Sequence, residues 1–161
     1  MDKYRVLLVC MGNICRSPAA EGVLRSLAQA AGLNKQIEFD SAGTHAFHEG
    51  EAPDPRARKV ASQRAYKLDG LRARRLETRD FVRFDRVLAM DHQNLAFMQR
   101  LCPPEHEAKL GLFMPFANLP GQEEIPDPYY GSSESFEKVF DMCEQAGRGF
   151  LANFKRLRGL P

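Results

Sequence analysis

Residues Tyr4 to Val9 read Tyr-Arg-Val-Leu-Leu-Val, with four large aliphatic side chains in a row. A run apolar on both of its faces suits a strand covered on both sides, as in a parallel sheet. Parallel neighbours need long crossovers, and the sequence supplies helical patterns at suitable intervals. Pro18 opens a helix at its first position and Gly32 stands near its end, with Ala19, Val23, Leu24, Leu27 and Ala31 on one face. Ile37 to Ser41 reads as a second strand, stopped by Ala-Gly-Thr, and Thr44 to Pro55 as a Gly/Pro-rich loop. Helical patterning runs from Arg56 to about Tyr66. A turn at Asp69-Gly70, a basic stretch and a third strand over Asp85 to Met90 follow. Asp91 to Leu101 reads as a helix, Lys109 to Met114 as a fourth strand, and Pro115 to Gly131, with four Pro and no periodicity, as a long ordered loop. The last helix starts near Ser132 to Ser135 and runs to about Leu157, burying Val139, Phe140, Cys143, Phe150, Leu151 and Phe154.

This alternation predicts one α/β domain over residues 1–161, a parallel sheet with right-handed crossovers and helices on both faces. Ligands of such sheets bind beyond the carboxyl ends of the strands. Those ends are Cys10, Ser41 to Thr44, and Met90-Asp91-His92, which converge on one cleft.

Composition narrows the function. A chain of 161 residues, 43% hydrophobic and 27% charged, fits a single core. No apolar run approaches the ~18 residues of a membrane span, and Val6 to Met11 is too short for a signal peptide, so a cytoplasmic protein without membrane contact is expected. A net charge of +2 is too mild to imply nucleic acid. Sixteen of the 23 basic residues are Arg, nine of them between Arg56 and Arg86, which suits either solvated helix faces or a field that draws in anions. Four Cys, at 10, 15, 102 and 143, are too few and scattered for a disulfide framework and fit a reducing compartment.

The densest chemistry lies in Cys10-Met11-Gly12-Asn13-Ile14-Cys15-Arg16-Ser17-Pro18, between strand and helix. Gly12 and Asn13 tolerate positive φ, so the loop can curl and turn its N–H groups inward as an anion nest. The helix beginning at Pro18 adds its positive dipole end, and Arg16 can supply a fork for two oxygens of a phosphate. A thiolate facing phosphorus in such a cradle is a nucleophile for phosphoryl transfer. Ser17 suits two roles, a donor to that sulfur or the N-cap of the helix. Asp127, between Pro126 and Pro128, is either a turn former or an acid–base group.

Cys10-Met-Gly-Asn-Ile-Cys-Arg-Ser-Pro-Ala-Ala-Glu21 resembles the signature of the low-molecular-weight protein tyrosine phosphatases. Asp40 to Thr44, Phe84 to Asp91 and Asp127-Pro-Tyr-Tyr-Gly131 match further family motifs, in family order over nearly the whole chain. The resemblance implies a three-layer, flavodoxin-like fold with a four-stranded sheet in the order 2-1-3-4. It implies hydrolysis of phosphotyrosine in proteins, and of small aryl phosphates, without metal or cofactor. Cys10 would attack phosphorus and form a phosphocysteine, Arg16 would hold the equatorial oxygens, and Asp127 would act as general acid and then base. Met11, Gly12, Asn13, Ile14, Cys15 and Ser17 would complete the phosphate loop, with Ser41 supporting Asn13. Tyr129, Tyr130 and Phe47 match the aromatic rim, although core packing remains an alternative for each. Cys15 matches a second Cys able to trap Cys10 as a disulfide, against the alternative of a merely buried thiol. Many members carry a His just before an Ala-Arg pair where this chain has Leu71, so the supporting network is expected to differ. Phosphotyrosine proteins and free oxyanions are the expected partners, and a monomer or weak dimer the expected state.

Three other functions remain in view. Protein-arginine phosphatases share the fold, but that branch typically carries Thr where this chain has Ile14. Thiol-coupled arsenate reductases share Cys-x5-Arg but need a second, closely spaced Cys pair, and Cys102 and Cys143 stand far apart. A silent phosphopeptide-binding module is disfavoured by intact Cys10, Arg16 and Asp127. A metal at Cys10 and Cys15 lacks a second ligand pair at zinc spacing.

Overall fold

The computed structural model describes residues 2–161. Four parallel strands, β1 (Tyr4–Cys10), β2 (Ile37–Gly43), β3 (Arg86–Ala89) and β4 (Leu110–Leu112), form one sheet in the order β2-β1-β3-β4. Five helices connect and cover it: α1 (Arg16–Ala30), α2 (Pro55–Gln63), α3 (Asp80–Arg83), α4 (His92–Leu101) and α5 (Ser133–Leu157). This is the expected three-layer, 2-1-3-4 architecture.

The period-two alternation of β1 explains the layers, because successive side chains leave opposite faces. Val6 and Leu8 enter the larger core with Leu24, Phe140 and Phe150, beneath α1 and α5. Leu7 and Val9 enter a second core with Phe81, Phe84, Val87 and Met98, on the α3 and α4 side. β1 is therefore buried on both faces and lies inside the sheet, which places its carboxyl end at the centre of one edge of the molecule. Gly32 closes α1 at φ +72°, where Leu33 N donates to Ala28 O, a glycine-specific helix stop.

Several boundaries differ from expectation. β4 spans three residues instead of six, because Pro104–Lys109 and Met114–Ala117 wind into 3₁₀ turns on either side. The basic stretch before β3 contains α3, which the sequence pattern does not reveal. Asp80 organises it by accepting from Glu77 N and pairing with Arg74. α2 ends at Gln63, and Ala65 at φ +62° turns the chain away. No helix among the described residues is long and apolar enough to cross a membrane.

Candidate active site

Between β1 and α1 the chain turns within Met11 to Cys15. Of the two residues able to take positive φ, only Asn13 does so, at +58°. Gly12 serves by its missing side chain instead: a Cβ there would lie 3.1 Å from the His48 ring. The loop's carbonyls are held outward. Thr44 N donates to Cys10 O (2.9 Å), His45 N to Met11 O (3.1 Å) and Asp54 N to Ile14 O (2.8 Å). At the centre, Asn13 N donates to Cys10 Sγ at 3.3 Å.

α1 begins at Arg16, two residues before the expected start, with Cys15 as N-cap and no side-chain cap. Ser17 therefore lies inside the first turn and is not the N-cap. Its hydroxyl meets Cys10 Sγ at 3.0 Å and accepts from Asn13 Nδ2 at 2.8 Å. Asn13 Nδ2 also donates to Ser41 Oγ (3.0 Å), while Asn13 Oδ1 accepts from Arg74 N (3.0 Å). Every polar atom of this buried amide is used, which holds a backbone conformation few residues adopt unaided. Leu71, at the common family His position, packs against the main core. Arg74 N and the Glu21 carboxylate, which accepts from Ser41 Oγ at 2.6 Å, complete the network around it.

The side chain of Arg16 is only 3% exposed. Its Nη1 donates to Asp91 Oδ2 (2.6 Å) and to Ile125 O (2.9 Å), and its Nη2 lies 3.7 Å from Asp127 Oδ2. Burial works against the charge, but Cys10, Asp91 and Asp127 outweigh it and raise the Arg16 pKa. Asp91 also accepts from Asn94 N as the N-cap of α4, so one carboxylate anchors the helix and orients the guanidinium. Burial, reinforced by Asp54 and Cys10, pushes the Cys15 thiol up, so it stays protonated at neutral pH. All four cysteines are free thiols, and Cys102 and Cys143 are buried, as expected of core residues.

Asp127 reaches the site from the loop after β4. Its Oδ1 accepts from Tyr129 N (3.1 Å) while Oδ2 faces Arg16, so it is a turn former and a site carboxylate at once. Ile125 N donates to Met90 O, which ties this loop to the end of β3. A cavity of about 90 Å³ lies between, floored by Cys10, Gly12 and Arg16 and bounded by Asp127, Tyr129 and Tyr130. That is the space of roughly three water molecules, a size that suits one tetrahedral oxyanion. Tyr130 is 95% exposed and makes an edge contact with Tyr129 at 4.9 Å. Arg56 backs Tyr129 at 5.6 Å. Phe47, 70% exposed, stacks on His45 at 5.1 Å, outside the cavity lining.

Sequence reasoning brought Cys10, Arg16, Ser17, Ser41 and Asp127 to one place. It missed Asp91, Glu21, Arg74 N and Ile125 O as partners. Two of them carry a signal, Asp91 in its place at the carboxyl end of the third strand and Glu21 as the last residue of the family motif.

A parallel α/β sheet ending in a Cys-x5-Arg loop, with a buried guanidinium and a facing carboxylate, defines an oxyanion site built around a thiol. The family model "Low molecular weight phosphotyrosine protein phosphatase" matches residues 5–159. A "Low molecular weight protein-tyrosine-phosphatase" of Streptomyces coelicolor is 45% identical over 152 residues, covering 92% of each chain. A "Low molecular weight phosphotyrosine protein phosphatase 2" of Drosophila melanogaster is 43% identical over 151 residues, 93% of this chain and 92% of its own. Among solved structures, a protein tyrosine phosphatase from Entamoeba histolytica, with Hepes in the active site, superposes with a TM-score of 0.93 at 36% identity, covering 97% of this chain and 99% of its own. The chain belongs to the low molecular weight phosphotyrosine protein phosphatase family and is a protein-tyrosine phosphatase.

Proposed function

We propose that this enzyme hydrolyses phosphotyrosine in cytoplasmic proteins through a phosphocysteine on Cys10. The Cys10 thiolate attacks phosphorus and the P–O bond to the phenol breaks, while Asp127 gives its proton to the departing phenolic oxygen. Asp127, now a carboxylate, takes a proton from water. The water oxygen attacks phosphorus, the P–S bond breaks, and inorganic phosphate leaves. Arg16 and the inward amides of Met11 to Cys15 hold the equatorial oxygens, where charge is spread in the transition state. Ser17 supports the sulfur as it leaves in the second step. Tyr129, Tyr130 and Phe47 form an aromatic margin for the phenyl ring.

The observation that carries this proposal is the convergence on Cys10 Sγ of Asn13 N at 3.3 Å and Ser17 Oγ at 3.0 Å, beside a guanidinium 3.7 Å from Asp127. Hepes, named in the active site of the Entamoeba relative, carries a sulfonate, a tetrahedral anion of similar size to phosphate. The test is hydrolysis of p-nitrophenyl phosphate, in reductant with chelator, by wild type, Cys10→Ser and Asp127→Asn. The expected result is chelator-insensitive turnover, abolished by Cys10→Ser and strongly reduced by Asp127→Asn. Full activity in Cys10→Ser would remove the proposed nucleophile.

A further inference from the structure

We propose that the cavity along the free edge of β4 is a second ligand site, which takes a small organic anion with an aromatic body. Its volume of about 730 Å³ falls within the ~300–1,000 Å³ of small-molecule sites. It shares no lining residue with the phosphate cavity.

The cavity arises because β4 is short and ends the sheet. Both cores come to the surface at this edge. Leu95 and Leu112 pack against the core on the α4 side and Phe116 against the larger core, yet all three are only half-buried. No further strand covers them. Gly111 has no side chain to fill the gap, and a Cβ there would lie 3.1 Å from Arg86 Nη2. Another wall is one face of α5, where Gly149, Ala152, Asn153 and Arg156 follow the i, i+3, i+4, i+7 spacing. At Gly149 the helix closes on the Phe116 carbonyl, and one turn further Ala152 leaves the space open.

The charged residues of the lining are Arg86 and Arg156, with no Asp or Glu among them. Neither guanidinium pairs with a carboxylate among the described residues. Arg86 Nε donates to Lys109 O (3.2 Å) and Arg156 Nη2 to Asn153 Oδ1 (2.5 Å). Tyr4, the phenol beside Arg86, stays protonated because burial raises its pKa, and so supplies no counter-charge. Two unmatched cations over an apolar floor favour a negative group on an apolar body, where a fully hydrated inorganic ion would not suit.

The Arg86 guanidinium lies 5.8 Å from the centre of the Phe116 ring, so two flat groups border the same space. Guanidinium planes stack on aromatic faces, which favours an aromatic body over an aliphatic chain. A second copy docked here about a two-fold axis would set Arg against Arg, and three residues of edge strand offer a peptide few partners.

The probe is anilinonaphthalene sulfonate, titrated by fluorescence into wild type, Arg156→Glu and Ala152→Phe. Phenylnaphthylamine supplies the same body without the charge. Both substituted positions are exposed on α5, so each variant should keep the wild-type Tm and turnover of p-nitrophenyl phosphate. Wild type should show one saturable site with a Kd of about 10–100 μM, changed less than about twofold by saturating phosphate at constant ionic strength. Reversing the charge in Arg156→Glu and filling the space in Ala152→Phe should each weaken it about tenfold or more. The neutral analogue should bind about tenfold more weakly than the sulfonate and ignore Arg156→Glu. Displacement by phosphate would put the anion in the phosphate cavity and overturn the proposal. So would an unchanged affinity in either variant, equal binding of the neutral analogue, or no saturable binding at all.

Discussion

Replacing Asn13 tests how the phosphate loop is held. Its side chain makes three buried hydrogen bonds, to Arg74 N, Ser17 Oγ and Ser41 Oγ, from a backbone at φ +58°. A net worth of about 1 kcal/mol per bond gives roughly 3 kcal/mol for the set. Alanine adds about 1 kcal/mol for a Cβ in the left-handed region, a cost that glycine escapes. Asn13→Ala is thus expected to destabilise by roughly 4 kcal/mol and Asn13→Gly by roughly 3 kcal/mol. For a domain of this size the alanine value corresponds to a fall in Tm of about 8–16 °C. Urea unfolding with a shared m-value measures both, and saturating phosphate should widen each gap, because a variant whose loop is less well held binds phosphate more weakly and gains less from it. If Asn13→Ala lost less than about 1 kcal/mol, Asn13 would not be what holds the curl.

The Glu21 carboxyl gives stability a pH dependence of its own. Its folded pKa of about 7 lies above its ordinary 4.5, so the native state holds a proton that the unfolded chain has released. That contribution is fully present below about pH 4.5 and disappears as pH rises through 7, amounting to about 3 kcal/mol. Urea midpoints of Glu21→Gln should lack this part of the decline, and parallel profiles for the two proteins would contradict it. Gly149→Ala places a Cβ 1.7 Å from Phe116 O and should cost at least about 3 kcal/mol, so an unchanged Tm would mean that α5 shifts freely. For the proposed acid, Asp127→Asn should slow turnover of an ester of a poorly acidic phenol by about 10²–10⁴. A dinitrophenyl ester, whose leaving group needs no proton, should be slowed far less, and an equal loss on both esters argues against proton donation.

The phosphate loop was largely legible because its chemistry is local: strand, curl, Arg16 and helix follow one another within a dozen residues. α1 begins two residues before Pro18, the helix-opening signal in the sequence, because the helix winds back to Arg16 around the contact of Ser17 with the sulfur. β4 is shorter than its sequence pattern because Phe113 and Met114 continue the apolar run of Leu110 to Leu112, while 3₁₀ turns close on it from both sides. α3 is not legible in the sequence because a four-residue helix shows no periodicity, and its organiser, Asp80, depends on Arg74.

By itself the sequence determined the alternation of strands and helices, the parallel sheet and the loop chemistry of Cys10 to Ser17. Those properties follow from side-chain period, turn residues and neighbours along the chain. Tertiary structure alone decided which distant groups complete the site. Arg74 N, 61 positions after Asn13, fixes its amide, and Asp91, 75 positions after Arg16, aims its guanidinium. Ile125 O, 109 positions on, closes the same cluster. Many carboxylates and backbone groups in the chain could have filled those places, and only the packing of β3, α4 and the loop after β4 against the end of β1 selects among them.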